Sequence, residues 1–391
     1  MSLILRVAAR GEGVAEDGRH APFTAPGDTL AADGSIVPGP HHQVPPCRHF
    51  PECGGCQLQH LDDESWAQFL HDRVAGALAS QGLTTEIRAP LLSPPRTRRR
   101  ATLHYDPSGR LGFSAAKSHQ LVDLHECHVL APELFALVKP LKRLLPTFRP
   151  KRRLDLQLTL ADQGVDVLVV GVSPEGLEAH EAITAFAHAN GVARIAFDDG
   201  LGPETRWEPD AVTVTLGGVP VPLPAGAFLQ ATREGEASLV AAVREGVGEA
   251  RTVADLFAGL GTFALALPGR VYAAEGGRDA VMALKAGAGR AQRMVFPEHR
   301  DLYRRPLTVA ELDRFDAVVL DPPRAGAREQ VAALAACRVP RTAYVSCNPS
   351  SFARDAKMMC EGGYRLDWVI PVGQFRWSTH VELAGVFSRP Q

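Results

Sequence analysis

Between Asp62 and Gln81 apolar residues recur at helical spacing, with Trp66, Phe69, Leu70, Val74, Ala77 and Leu78 on one stripe and Gly82 as a stop. This predicts one amphipathic helix. From Glu86 to about Val221 the period shortens. Ala101–Tyr105, Leu111–Phe113, Leu154–Leu160 and Val165–Val170 read as strands, while Pro132–Leu145 and Leu177–Ala189 read as helices, which together predict an α+β region. From Arg251 the pattern becomes strand, glycine loop, helix, repeated. Val253–Phe257 enters Ala258-Gly259-Leu260-Gly261-Thr262, and a helix over Phe263–Leu267 is expected to leave it. Further strands end at Glu275, at Asp321-Pro322-Pro323-Arg324 and at Cys347. Such alternation predicts a parallel, doubly wound sheet that binds ligands beyond the carboxyl ends of its strands.

The strand Arg341–Ser346 stops at Cys347, and Asn348-Pro349 opens a helical run. A thiol just before a helix N-terminus is expected to be drawn toward thiolate, hence toward nucleophilic chemistry. A lone cysteine at a strand end is more often a buried core residue, so the surrounding motifs decide between the two.

Residues 1–46 are rich in Gly, Pro and Ala, with Leu3–Ala8 the best apolar run, and read as a small barrel fragment or a poorly ordered arm. Cys47-Arg48-His49-Phe50-Pro51-Glu52-Cys53-Gly54-Gly55-Cys56 then places three thiols within ten residues. Structural zinc sites usually carry two paired knuckles. Three local cysteines with a remote fourth suit an iron–sulfur cluster better than zinc, and Cys127 is the natural fourth ligand beside Cys47, Cys53 and Cys56.

The chain has 391 residues, enough for two or three domains, and 45% hydrophobic and 22% charged residues, as in an ordinary globular protein. No signal peptide or membrane span is evident, and the seven cysteines do not suggest a secreted disulfide scaffold, so a cytoplasmic protein without membrane association is expected. A net charge of −2 argues against a uniformly basic coat. Two short basic runs, Arg96–Arg100 and Arg149–Arg153, remain candidates for phosphate contact.

On these residues alone the Gly-x-Gly loop and Glu275 fit a nucleoside cofactor, either NAD or S-adenosylmethionine. Asp-Pro-Pro-Arg favours a methyltransferase acting on a planar nitrogenous substrate. Four motifs then occur in order: Asp255-Leu256-Phe257-Ala258-Gly259-Leu260-Gly261-Thr262-Phe263; Leu320–Gly326; Ser346-Cys347-Asn348-Pro349 with Arg354-Asp355; and Phe375 to Glu382. Together they resemble the RNA uracil-5-methyltransferase family. The cysteine cluster followed by Gln57-Leu58-Gln59-His60 resembles its iron–sulfur branch, whose members modify 23S ribosomal RNA.

The resemblance implies a class I (Rossmann-like) methyltransferase domain over 226–391, an α+β central domain with a [4Fe-4S] site over 46–225, and a truncated TRAM-like segment over 1–45. The helix 61–81 is expected to pack on the catalytic domain. The resemblance further implies that Cys347 adds to uracil C6 and that Glu382 removes the C5 proton, with His380 a weaker candidate. Gln230, Phe257, Thr262, Glu275, Asp301 and Asp321 are implied to bind S-adenosylmethionine. Thr232, Thr262, Asp301 and Arg376-Trp377 depart from the usual family residues. The implied partner is RNA, ribosomal or transfer, and a monomer is the default expectation. The rival expectations are a non-catalytic iron–sulfur RNA-binding scaffold and a methyltransferase of an exocyclic nitrogen.

Overall fold

The computed structural model describes residues 1–389. Its largest sheet is nine-stranded and runs in the order Val295–His299, Arg270–Glu275, Thr252–Leu256, Ala317–Leu320, Arg341–Ser346, Glu382–Ser388, Arg365–Gly373 and Glu86–Ile87, with Leu91–Leu92 also paired to Arg365–Gly373. The first five strands are parallel. Glu382–Ser388 then runs antiparallel to both of its neighbours. Parallel strands buried on both faces need continuous apolar sequence, and Ala317–Leu320 is buried throughout. This order, with the strand reversal near one edge, is a Rossmann-like α/β arrangement, as the resemblance implies.

The amphipathic helix spans Asp63–Ser80, capped by Asp62, whose side chain accepts from Ser65 N–H. Its Trp66 and Leu70 press on the sheet at Gly373, where any Cβ would come within 2.8 Å of Leu70 Cδ1. Trp66, Phe69, Leu70 and Val74 share one core with Leu320, Tyr344 and Phe352. The helix therefore packs on the large sheet despite lying more than two hundred residues upstream of its central strands.

A second, seven-stranded sheet contains Arg100–Tyr105, Leu154–Ala161, Gly164–Val170 and Val192–Asp198 as its middle strands. The helix Gly176–Asn190 packs on it. The helical stretch expected over Pro132–Leu145 divides into Pro132–Ala136 and Val138–Leu144. The hairpin Thr213–Leu216/Val219–Pro222 shares its core with Leu239, Val253 and Leu265 of the larger unit.

One expectation is narrowed and one is corrected. The N-terminal segment is no loose arm: Ser2–Val7, Gly13–Ala15, His20–Ala21, Thr29–Leu30 and Ile36–Val37 form a five-stranded sheet over a small core of Ile4, Ala15, Ala21 and Leu30. Buried Asp28 secures it, accepting from Ala25 N–H at 2.7 Å and from Gly39 N–H at 2.7 Å. The helix expected over Phe263–Leu267 does not develop. Helical hydrogen bonds run only from Leu265 to Gly261 and from Leu267 to Phe263, because Pro268-Gly269 follows at once and ends the turn.

Gly385 lies in the middle of the antiparallel strand, and a Cβ there would sit 2.4 Å from Phe352 Cζ. Gly385→Ala is expected to destabilise the fold by about 1–3 kcal/mol, read as a lower urea midpoint with an unchanged slope.

Candidate active site

Four of the expected residues follow directly from strand ends, and a fifth from a helix start. Glu275, Asp321 and Cys347 terminate or follow parallel strands on one edge of the sheet. Antiparallel pairing brings the sixth strand's start to the same edge: Ser346 lies opposite Leu383, so Glu382 stands beside Cys347. Gln230 precedes the helix Arg233–Val247, whose cap is Thr232. Gln230 is buried rather than a surface residue of that helix's N-terminus, and its amide nitrogen lies 3.3 Å from an Asp321 carboxyl oxygen.

Gln374, which the motif reading did not single out, joins these groups. Its amide donates to Gln230 Oε1 at 2.7 Å and to Glu382 Oε2 at 3.0 Å, while its own oxygen accepts from Ala231 N–H at 2.8 Å. It follows the strand Arg365–Gly373, which ends where the antiparallel Glu382–Ser388 begins. Its place immediately before Phe375, at the exit of an apolar run, was the available signal.

The electrostatics reverse one expectation. Cys347 precedes the helix Pro349–Glu361, with Asn348 as its cap. Its thiol is nonetheless pushed up from its ordinary value, first by burial and then by the nearby Glu382 and Asp321 carboxyls, with Arg324 opposing. Burial raises Glu382 to about 7, against the lowering effects of the Gln374 hydrogen bond and Arg324. Asp321 is raised well above the usual carboxylate range by burial and by neighbouring acids. The helix end is too weak to hold a thiolate against two carboxyls and desolvation. Arg324 donates to the ring of His380, with its Nη2 at 2.9 Å from Nδ1 and 3.0 Å from Nε2. Burial and the Arg324 charge lower the His380 pKa, so the ring is a neutral acceptor.

A second set of bonds straps the Asp-Pro-Pro-Arg loop to the helix after Cys347. Fully buried Asp355 accepts from Tyr344 Oη at 2.7 Å, Ala327 N–H at 2.9 Å and Arg354 Nε at 2.9 Å. Arg354 Nη2 donates to Ala325 O at 2.9 Å, and Asn348 Nδ2 to Arg324 O at 3.0 Å. The thiol and Asp321 are thus carried by segments that cannot shift independently.

Along the glycine loop, Glu275 accepts from Gly259 N–H at 2.9 Å and from Gly277 N–H at 2.6 Å. Gly259 has φ +54 and faces open space, so the backbone leaves room for a ligand. Buried Asp255 accepts from Ala264 N–H at 2.8 Å and is raised to about 7 by burial. Phe257, itself at φ 66, lies 5.5 Å from Tyr303, and Tyr303 Oη donates to Gly326 O at 3.2 Å. Asp301 is exposed and accepts from Tyr303 N–H at 3.0 Å, while Thr262 is half-buried in the loop. Glu275, Gly259, Phe257, Thr262 and Asp301 therefore surround one edge.

The Arg376-Trp377 departure leaves Glu382 in place and has a bracing role. Buried Arg376 pairs with Asp63, donates to Ser93 O at 3.1 Å and lies over the Trp66 and Trp377 rings. Trp377 O accepts from Gln57 and Leu58 N–H at 2.8 and 2.9 Å. This ties the segment ahead of Glu382 to the cysteine loop.

Cys47, Cys53, Cys56 and Cys127 line one pocket together with Phe113, Leu124, Val129 and Arg98. Four cysteine sulfurs gathered at one pocket are the donor set that a four-thiolate iron–sulfur cluster takes. The basic run next to it turns inward. Arg99 is buried and paired with Glu236 at 2.5 Å, Arg98 faces the cysteine pocket, and Arg100 lies 4.7 Å over exposed Phe228. Of Arg96–Arg100 only Arg96 is fully exposed, so this run is mostly internal bracing rather than a phosphate-binding strip.

The fold and site define an α/β nucleotide-cofactor enzyme with a thiol and two buried carboxyls at its binding edge. The tRNA (uracil-5-)-methyltransferase family model matches residues 295–390. An uncharacterized RNA methyltransferase of Zymomonas mobilis is 53% identical over the whole of both chains. The 23S rRNA (uracil(1939)-C(5))-methyltransferase RlmD of Halomonas elongata is 31% identical over 97% of this chain and 89% of its own. The fold is also that of the Pyrococcus abyssi tRNA (uracil-54, C5)-methyltransferase, solved with S-adenosyl-L-homocysteine, at TM-score 0.78 and 22% identity over 99% of this chain and 100% of that one. The chain belongs to the RNA (uracil-5-)-methyltransferase family.

A carboxyl whose folded pKa is raised keeps its proton on folding. Glu382 therefore costs nothing below about pH 4.5, where both states are protonated, weighs against the fold increasingly between about pH 4.5 and about 7, and levels off above. Glu382→Gln is expected to be more stable than wild type by about 1–3 kcal/mol at pH 8 and equal to it at pH 4, read by urea unfolding at both pH values.

Proposed function

We propose that this protein methylates C5 of a specific uridine in RNA, using S-adenosylmethionine as donor and Cys347 as a covalent nucleophile. The single observation that carries the reading is the convergence of Cys347, Asp321 and Glu382, the last linked through Gln374 to Gln230. A methyl transfer to an exocyclic nitrogen needs no thiol beside such a pair of acids. Retention of all three groups likewise weighs against a non-catalytic scaffold. The 31% identical 23S rRNA enzyme favours ribosomal RNA as substrate, with tRNA the second reading.

Uracil C5 is a poor nucleophile. Addition of Cys347 Sγ to C6, its thiol proton passing to solvent and returning when the thiolate is expelled, turns C5 into the carbon end of an enolate. A neutral Asp321 is suited to donate to the enolate oxygen at C4, and its protonation also relieves repulsion on the forming thiolate. The bound cofactor supplies an electrophilic methyl group to C5. Glu382 as carboxylate then takes the C5 proton, and the electrons left behind re-form the C5–C6 double bond and expel Cys347. Glu275 would hold the ribose hydroxyls, with Phe257, Thr262, Asp301, Asp321 and Gln230 around the rest of the cofactor. The uridine must be flipped out of a stack or lie in a loop to reach the thiol.

We read residues 226–391 as the catalytic domain, 46–225 as a central domain whose Cys47, Cys53, Cys56 and Cys127 hold a [4Fe-4S] cluster, and 1–45 as a shortened TRAM-like segment. Uracil methylation transfers no electron, so the cluster would serve a structural or RNA-docking part, on a loop that is bonded to the Trp377 segment. A cytoplasmic monomer fits this reading; no helix among the described residues is long and apolar enough to cross a membrane.

Mass mapping of 5-methyluridine in total RNA, from cells with and without the gene, tests the assignment. One uridine should lose its methyl group and regain it with wild type but not with Cys347→Ala; an unchanged map would end the assignment for cellular RNA. With purified protein, Glu382→Gln should accumulate a protein–RNA adduct on denaturing gels, because C5 can be methylated but the thiol not expelled. Turnover should fall as pH drops through about 7, where Glu382 takes up a proton. Gln374→Ala removes a hydrogen bond that favours the carboxylate, and should move this acid limb to higher pH.

A further inference from the structure

We propose that Lys117, Arg149, Lys151 and Arg152 form a docking face for the phosphodiester backbone of folded RNA, reached from Cys347 across the cysteine loop. The inference rests on the RNA reading above and adds where the nucleic acid is gripped away from the reacting base.

The face is built from two segments that the chain keeps more than thirty residues apart. Leu111–Ser114 and Leu121–Asp123 pair as a hairpin whose tip carries Lys117 and His119. The run Arg149–Arg153 leads into the strand Leu154–Ala161. Arg153 locks the two together, its Nη2 donating to Ser114 Oγ at 2.8 Å and its Nη1 to His119 O at 3.3 Å. Lys117, Arg149, Lys151 and Arg152 are left exposed. Among the described residues none of the four forms an ion pair. The nearby acids are mostly engaged elsewhere: Asp123 with Lys142 at 2.6 Å, Asp155 with His104 at 2.6 Å, and Glu126 with Arg48. Exposed Glu52 is the opposing charge on the adjoining loop.

The contrast with Arg96–Arg100 is informative. That run spends its guanidinium groups on Glu236, the Gln230 carbonyl and the Phe228 ring. The 149–153 run keeps its charges in water, where an exposed unpaired cation stabilises nothing in the fold but can neutralise phosphate and release counterions.

The cysteine loop connects this face to the catalytic edge. Gly54 N–H donates to Ser114 O at 2.9 Å and Ala116 N–H to Glu52 O at 2.9 Å, so the hairpin tip is seated on the loop. At its other end the same loop bonds through Gln57 and Leu58 to Trp377, five residues before Glu382. RNA lying over the loop would meet the basic face on one side and the thiol on the other.

The test uses the full-length protein with its cluster, and 23S rRNA purified from cells lacking the gene as probe. K151E/R152E is expected to raise KM for this RNA about tenfold or more at low salt and to lower the slope of log affinity against log salt by about 2. Its kcat and its affinity for S-adenosylmethionine should stay at wild-type values, and K151R/R152K should bind RNA like wild type. Unchanged KM and salt slope in K151E/R152E, with wild type active, would overturn the docking face alone. A wild type that methylates neither this rRNA nor tRNA from the same cells would overturn the RNA reading and the face with it. Should K151E/R152E fail to bind S-adenosylmethionine, K117E on the separate hairpin tip carries the same comparison.

Discussion

The antiparallel return of Glu382–Ser388 between Arg341–Ser346 and Arg365–Gly373 is the constraint on which the site depends. In an all-parallel sheet the last strand would begin at the edge opposite Cys347. Reversing it sets Glu382 next to the nucleophile's strand end and beside Gln374. The reversal is held by close packing, since Gly385 admits the Phe352 ring and Gly246 admits Val386. Buried apolar contacts on both faces of the sheet therefore fix the distance between a thiol and a carboxyl that are 35 positions apart in the sequence.

That proximity has an electrostatic cost. Three acids, Asp321, Glu382 and the half-buried thiol of Cys347, crowd a site with Arg324 as the nearby guanidinium, and all three are pushed toward their protonated forms. Arg324 is itself turned toward the His380 ring. A site in this condition holds protons that a reaction can redistribute. The thiol proton leaves as carbon–sulfur bonding begins, and a carboxyl poised near neutrality can accept one at the end.

Much of the scaffold was legible locally. The helix bounded by Asp62 and Gly82, the strands ending at Glu275, Asp321 and Cys347, and the Asn348-Pro349 helix start all rest on short-range rules of periodicity, capping and proline placement. The same rules misjudged Phe263–Leu267, where Pro268 outweighed helical spacing. They left the N-terminal segment open between a barrel fragment and a loose arm, because its strands of two to six residues are too short to register as periodicity. The candidate site was legible as a set of residues in motif order, but the link from Gln374 to Gln230 and the inward turn of Arg99 to Glu236 were not, because these partners lie more than a hundred residues away.

By itself the sequence determined which chemistry the chain carries: a thiol at a strand end, acids at neighbouring strand ends, a glycine loop, and three clustered cysteines with a fourth to match. These depend on residue type and spacing, which the chain states directly. Only the tertiary structure decided the protonation of that chemistry and the fate of its charges. Desolvation and like-charge proximity raise Cys347 where its helix position alone would lower it. Burial consumes one basic run and leaves the other in solvent. Both outcomes depend on what the fold places around a group, and two identical motifs in different surroundings would titrate and pair differently.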